Sequence, residues 1–194
     1  MGAIRPILLL LILLLCQAGC VRMALKASPS LVPRFSEALL EECDPDLAKE
    51  ALPAELKLLE GLLKHDPANG RVLTSLSMGY TGYAFFFVED DDAKRASSLY
   101  LRARDFGLKA LAPVGEHLKK SGQGRREIST RLSRIAEDRL EALFWTALSW
   151  NLWLNLNLDQ PTALGEIGAA RACAERVLEM DPDFFHGAPY VLKG

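Results

Sequence analysis

From Phe35 onward, apolar residues recur with helical period and never alternate with the period of two that a half-buried strand requires. Leucine, alanine, glutamate, lysine and arginine dominate, the residues with the best helix propensities. This excludes a sheet-based architecture and predicts an all-α fold. The pattern is clearest from Tyr80 to Leu111, where two amphipathic runs meet at Glu89-Asp90-Asp91-Asp92. Short carboxylates compete for backbone donors, so they favour caps over helix interiors. Beyond them, Ala96, Leu99, Tyr100, Ala103, Phe106 and Leu108 fall near the spacings of one buried face.

The same reading places helices at roughly 35–42, 45–64, 69–88, 91–111, 126–157 and 162–180, with another starting near Asp183. Asp44-Pro45, Asp66-Pro67 and Asp181-Pro182 each mark a helix start: aspartate caps, and proline is tolerated in a first turn. Two of these junctions resemble those between tetratricopeptide (TPR) repeats. After Pro67, Leu73, Leu76 and Tyr80 take the large positions and Ser77 the small one. Before Pro182, Ala170, Ala174 and Val177 take the contact positions of a second helix. The spacing departs from the usual repeat of about 34 residues, and 115–126 is a Gly/Lys/Arg-rich insertion. The expectation is antiparallel hairpins stacked as a degenerate TPR-like solenoid over 34–194. Phe184-Phe185 opens a helix close to Gly194, and a solenoid exposes an apolar face at an uncapped end. Further helices are therefore expected beyond this sequence.

Ile7 to Leu15 is nearly pure leucine and isoleucine, preceded by Arg5 and followed by Gln17-Ala18-Gly19-Cys20. A basic start, a short apolar run and small residues before a cut describe an export signal over 1–19. The run falls short of the roughly 20 residues of a membrane-spanning helix. Cys20 resembles the lipidated cysteine of a bacterial lipobox, although Gln17 stands where leucine is usual. Two acyl chains on Cys20 would anchor the protein stably, with 20–33 as a tether. Val21 is not the aspartate that retains some lipoproteins at an inner membrane, which favours the outer one. Cys43 and Cys173 then remain in the fold; each sits in an apolar helical pattern and is expected to be a separate buried thiol.

The formal net charge is −2, which argues against nucleic acid, since phosphate contacts need a basic patch. His65, His117 and His186 lie far apart without metal-ligand spacing, so no metal site is expected. Gly122-Gln123-Gly124 lacks the rest of a phosphate-binding loop, and Glu89–Asp92 lacks the alternating ligands and glycine of a calcium loop. No catalytic residues and no cofactor are expected. The aromatic clusters are the candidates for binding. Tyr80, Tyr83 and Phe86, with Phe85 and Phe87, cover more than one side of a helix, as do Phe144, Trp145, Trp150 and Trp153. A helix apolar all round is either buried or lines something. Asn151, Asn155 and Asn157 on the same stretch require partners, and would offer a polar strip to a ligand or pair with backbone. Arg102, Arg104 and Asp105 read as a charged outer face.

FVEDD at 87–91, SLYLRARDFGLKAL at 98–111 and FWTALSWNLWLNLNLD at 144–159 resemble the T component of tripartite ATP-independent periplasmic (TRAP) transporters, the TatT family. The resemblance implies a periplasm-facing, lipid-anchored helical protein of the bacterial envelope. It would bind the substrate-binding P component of a TRAP transporter, self-associate, and help pass a small organic or hydrophobic solute. Tyr80, Tyr83, Phe86, Trp145, Trp150, Asn151, Trp153 and Asn155 are the residues expected to meet ligand or partner. The alternative is a generic TPR lipoprotein acting as a pilotin or assembly scaffold.

Overall fold

The computed structural model describes residues 41–119 and 124–193, with isolated positions at 32, 34, 37 and 38. The expected signal, Cys20, the tether and most of the expected helix at 35–42 lie outside the described residues. Within them the secondary structure is helical: α1 Pro45–Leu63, α2 Gly70–Phe87, α3 Ala93–Ala110, α4 Val114–Leu118, α5 Arg125–Leu132, α6 Leu140–Asn155, α7 Pro161–Leu164, α8 Ile167–Met180 and α9 Phe184–Lys193. No helix among the described residues is long and apolar enough to cross a membrane.

The caps follow from local chemistry. Asp44 accepts from the backbone N–H groups of Asp46 and Leu47, with Pro45 in the first turn of α1. Asp92 accepts from Arg95 N at 2.9 Å to start α3, so the acidic turn works as a cap. At α2 the expected cap is displaced. Asn69 accepts from Val72 N at 3.2 Å, and Asp66 instead accepts from the Asn69 side-chain amide at 3.2 Å.

Helices α2 and α3 form one hairpin and α6 and α8 a second; α1 packs on α2, and α6 lies against both helices of the first hairpin. Because α6 touches neighbours on several sides, it is buried on nearly every face, from Ala142 and Leu143 round to Trp150 and Leu154. Its buried hydroxyls are satisfied within the helix: Thr146 Oγ1 donates to Ala142 O at 2.6 Å and Ser149 Oγ to Trp145 O at 2.8 Å. Around α6 sits the main core, including Tyr100, Phe144, Trp150 and Val177. A smaller cluster of Leu56, Leu59, Val72, Leu76, Tyr80 and Ala103 joins α1, α2 and α3. Leu73, Ser77, Ala170, Ala174 and Val177 are all buried, as the repeat offsets predict.

Three further expectations are corrected. The single helix over 126–157 is instead α5, a turn, a 3-10 turn at Glu137–Arg139, and α6. The break redirects the chain so that α6 can lie on α3, and Arg139 pins it by donating to Ala110 O, close to the end of α3, at 2.7 Å. Cys43 is exposed, because it precedes the cap of α1 and so belongs to no apolar helix face; Cys173 is fully buried. Both thiols are free, and burial pushes that of Cys173 up to about 12.

The third correction concerns Arg104, which is buried and not on an outer face. Its Nη1 donates to Glu166 Oε2 at 2.6 Å, and its Nε and Nη2 to Asp105 Oδ1 at 3.1 and 3.0 Å. The guanidinium lies 5.3 Å from the ring centre of Trp150 and 5.5 Å from that of Trp153. Trp150 Nε1 donates to the same Glu166 oxygen at 2.7 Å. A buried charge is tolerated when carboxylates and indole faces surround it. Arg102 and Asp105 stay partly exposed, consistent with the expected charged face.

Glu166 thus ties α3, α6 and the start of α8 together. Glu166→Ala should lower stability by about 2–3 kcal/mol, because it strips one carboxylate from a buried guanidinium and orphans a buried indole N–H. Glu166→Gln keeps an acceptor and should recover roughly half of that. Urea unfolding curves of the three proteins check this. A loss under about 0.5 kcal/mol for the alanine variant would show that water replaces the carboxylate.

Candidate functional site

Three helices turn one stripe each toward a common groove. On α1 the stripe is Ala48, Leu52, Glu55, Leu56 and Leu59; on α2 it is Ser75, Met78, Gly79, Gly82, Phe85 and Phe86; on α6 it is Trp145, Leu148 and Leu152. Each set follows the three-and-four spacing that brings residues onto one helix face. Together with Phe185 they enclose about 610 Å³, within the roughly 300–1,000 Å³ of small-molecule sites. Gly82 matters to this shape: a Cβ built there meets nothing within 4 Å, so the missing side chain leaves the middle of the groove open.

The lining is overwhelmingly apolar. Thr81 is occupied, donating from Oγ1 to Ser77 O at 2.7 Å. Glu42, at the approach to α1, accepts from Asp44 N at 2.8 Å. Glu55 lies within the α1 stripe, half-buried, and burial raises its carboxyl above the usual carboxylate range. At the rim, Phe85 and Phe86 form an edge-on pair with centroids 5.1 Å apart, and Phe86 is 72% exposed. On the far side Phe185 packs edge-on against Trp145 at 5.6 Å. Its φ of 47°, followed by 60° at His186 and 81° at Gly187, is left-handed backbone that turns its ring back over α6.

The residues singled out from sequence divide among five places. Phe86 and Trp145 line the groove. Tyr80 is buried beside it: its hydroxyl donates to Glu60 at 2.5 Å, its ring stacks on Phe106 at 5.9 Å, and Arg102 sits 4.7 Å above it. That Glu60 carboxylate also accepts from Arg102 and Lys57. Desolvation acts to raise its pKa, but the bonds from Tyr80 and Lys57 and the Arg102 charge outweigh it, leaving Glu60 below the usual range. Tyr83 is half-buried, with Arg95 5.7 Å from its ring. Trp150 and Trp153 lie under Arg104.

Asn151 and Asn155 line a smaller hollow of about 380 Å³ between α6, α8 and α9, beside Arg171 and Glu175. Asn151 donates to Ala147 O at 2.8 Å, so it pairs with its own helix. Asn157 is buried and serves the fold, donating to Trp153 O at 2.7 Å and to Ser97 Oγ at 2.9 Å.

Sequence reasoning missed the contributions of α1 and most of α2. The signal was present in α1: Glu55 interrupts the otherwise apolar series Ala48, Leu52, Leu56 and Leu59 at a position in register with it.

Against known proteins, the model of the TRAP transporter T-component family matches residues 41–194. An uncharacterized protein of Treponema pallidum (strain Nichols) is 25% identical over 171 residues, which cover 79% of this chain and 53% of that protein. The chain thus spans about half the length of this curated relative.

Proposed function

The chain belongs to the TRAP transporter T-component family, and from that premise we propose that it docks the substrate-binding P component of a TRAP transporter and receives a small apolar solute. The family is one of transporter accessory components and points to the bacterial envelope. Lipid on Cys20 would hold the protein at a membrane, the outer one favoured, facing the periplasm, with 20–33 as the tether. The observation that carries the solute half is the groove of about 610 Å³ walled by three apolar stripes. Phe85 and Phe86 support the docking half, because two exposed rings at a groove rim offer an incoming protein apolar surface to cover. Self-association into an oligomer belongs to the same proposal.

The test is co-elution of the acyl-free protein with the substrate-binding component of a TRAP transporter from the same cell, followed by light scattering. A complex at micromolar concentration, and a mass above one chain for the protein alone, are the expected results. A monomer that elutes apart from that component would transfer the reading to a general envelope scaffold.

A further inference from the structure

We propose that the groove selects amphiphiles whose polar end is a cationic amine, with Glu55 as the group that holds it. This rests on the groove's being a solute site and adds the chemistry of the solute. The argument is one of charge complementarity. Among the described residues, the titratable groups that line the groove are Glu42, Cys43 and Glu55; α2, α6 and Phe185 contribute none, and no described lysine, arginine or histidine lines it. Elsewhere in the described residues, several part-buried carboxylates meet cations. Glu60 meets Arg102 and Lys57, Glu166 meets Arg104, and Glu175 meets Arg125 and Arg171. Glu42 is engaged by the backbone of Asp44. Glu55 has no hydrogen-bond or ion-pair partner among the described residues, although it sits in the apolar α1 stripe between Leu52 and Leu59.

A carboxylate in that setting loses hydration without gaining a protein partner, which is why its pKa rises. An alkylammonium entering the groove would bury its chain on Leu148, Leu152 and Met78 and place a charge-assisted hydrogen bond on Glu55. A fatty carboxylate of equal length would bury the same chain but meet a like charge with no cation to offset it. The groove therefore discriminates by the sign of the head group, while its walls supply the affinity.

The experiment uses the purified protein at about pH 8, where alkylammonium ions remain charged. The neutral fluorescent probe N-phenyl-1-naphthylamine is bound first, then displaced by dodecylammonium, dodecanol or dodecanoate, each below its micelle concentration. Dodecylammonium should compete about tenfold or more better than dodecanoate, with dodecanol between them. Glu55→Gln should weaken dodecylammonium about tenfold relative to dodecanol measured on the same variant, since the change removes the charge that favours the amine. If the probe binds but the three competitors rank equally, the head-group assignment is overturned and the groove stands. Should the probe not bind the wild-type protein at all, the solute site fails and this inference falls with it. The ranking on wild-type protein decides the matter even if Glu55→Gln does not fold.

Discussion

Gly82→Leu is expected to abolish binding of an apolar ligand while leaving the protein at least as stable as before. Gly82 lies mid-helix on the groove face of α2, and a Cβ added there meets no atom within 4 Å. Because Gly82 lines the groove, the new side chain would extend into it, between Met78 and Phe86 on its own helix and the walls supplied by α1 and α6. Leucine also gains helix propensity over glycine, worth up to about 1 kcal/mol, and covers apolar surface. Binding of a neutral apolar probe should weaken more than tenfold, with an unfolding midpoint equal or higher. Gly82→Ala should do far less to binding, because one methyl group leaves most of the volume open. An unchanged affinity in the leucine variant would place the solute somewhere other than this groove. That outcome would leave docking of a substrate-binding protein untouched, so the two halves of the proposed function fail separately.

The second large effect is on folding. Gly107 on α3 packs tightly against two other helices: a Cβ there would stand 2.1 Å from Thr146 Oγ1 on α6 and 2.9 Å from Ser77 Oγ on α2. Thr146 cannot simply rotate away, because it is fully buried and its hydroxyl is committed to Ala142 O. Gly107→Ala should therefore cost about 2–3 kcal/mol by overpacking, even though alanine is the better helix former. For a chain of this size that lowers the thermal midpoint by roughly 5–10 °C. Pairing it with Thr146→Ala should restore part of the loss, so that the double variant is more stable than the sum of the two singles predicts. Strict additivity in thermal or urea melts would mean that the hairpins separate without consequence, and the close packing of α3 on α6 would not be what holds them.

The two glycines illustrate what sequence reading reaches. Both sit in helical patterns, and nothing in their neighbours distinguishes the one that faces open space from the one that touches two other helices. The groove has the same character. Its walls come from α1, α2 and α6, and the lining residues run from Glu42 to Phe185. Phe86 and Trp145 were picked out because they are large and aromatic, a property of composition. Tyr80, Trp150 and Trp153 share it and are buried in contacts of the fold. Arg104 was misread because its helix alone shows a charged residue at an ordinary spacing. Its burial depends on Glu166, Trp150 and Trp153, which lie on other elements.

By itself the sequence determined the all-helical class, the positions of most helices, the acidic cap of α3 and the blocks that mark the family. Those are set by interactions a few residues apart: periodicity, propensity and the capture of orphan N–H groups by Asp44 and Asp92. Only the tertiary structure decided the break between α5 and α6, the burial of Arg104, the exposure of Cys43 and the existence of an apolar groove with Glu55 in its wall. Each of these depends on which helix faces which, and that choice rests on packing between residues far apart in the chain, where local periodicity carries no information.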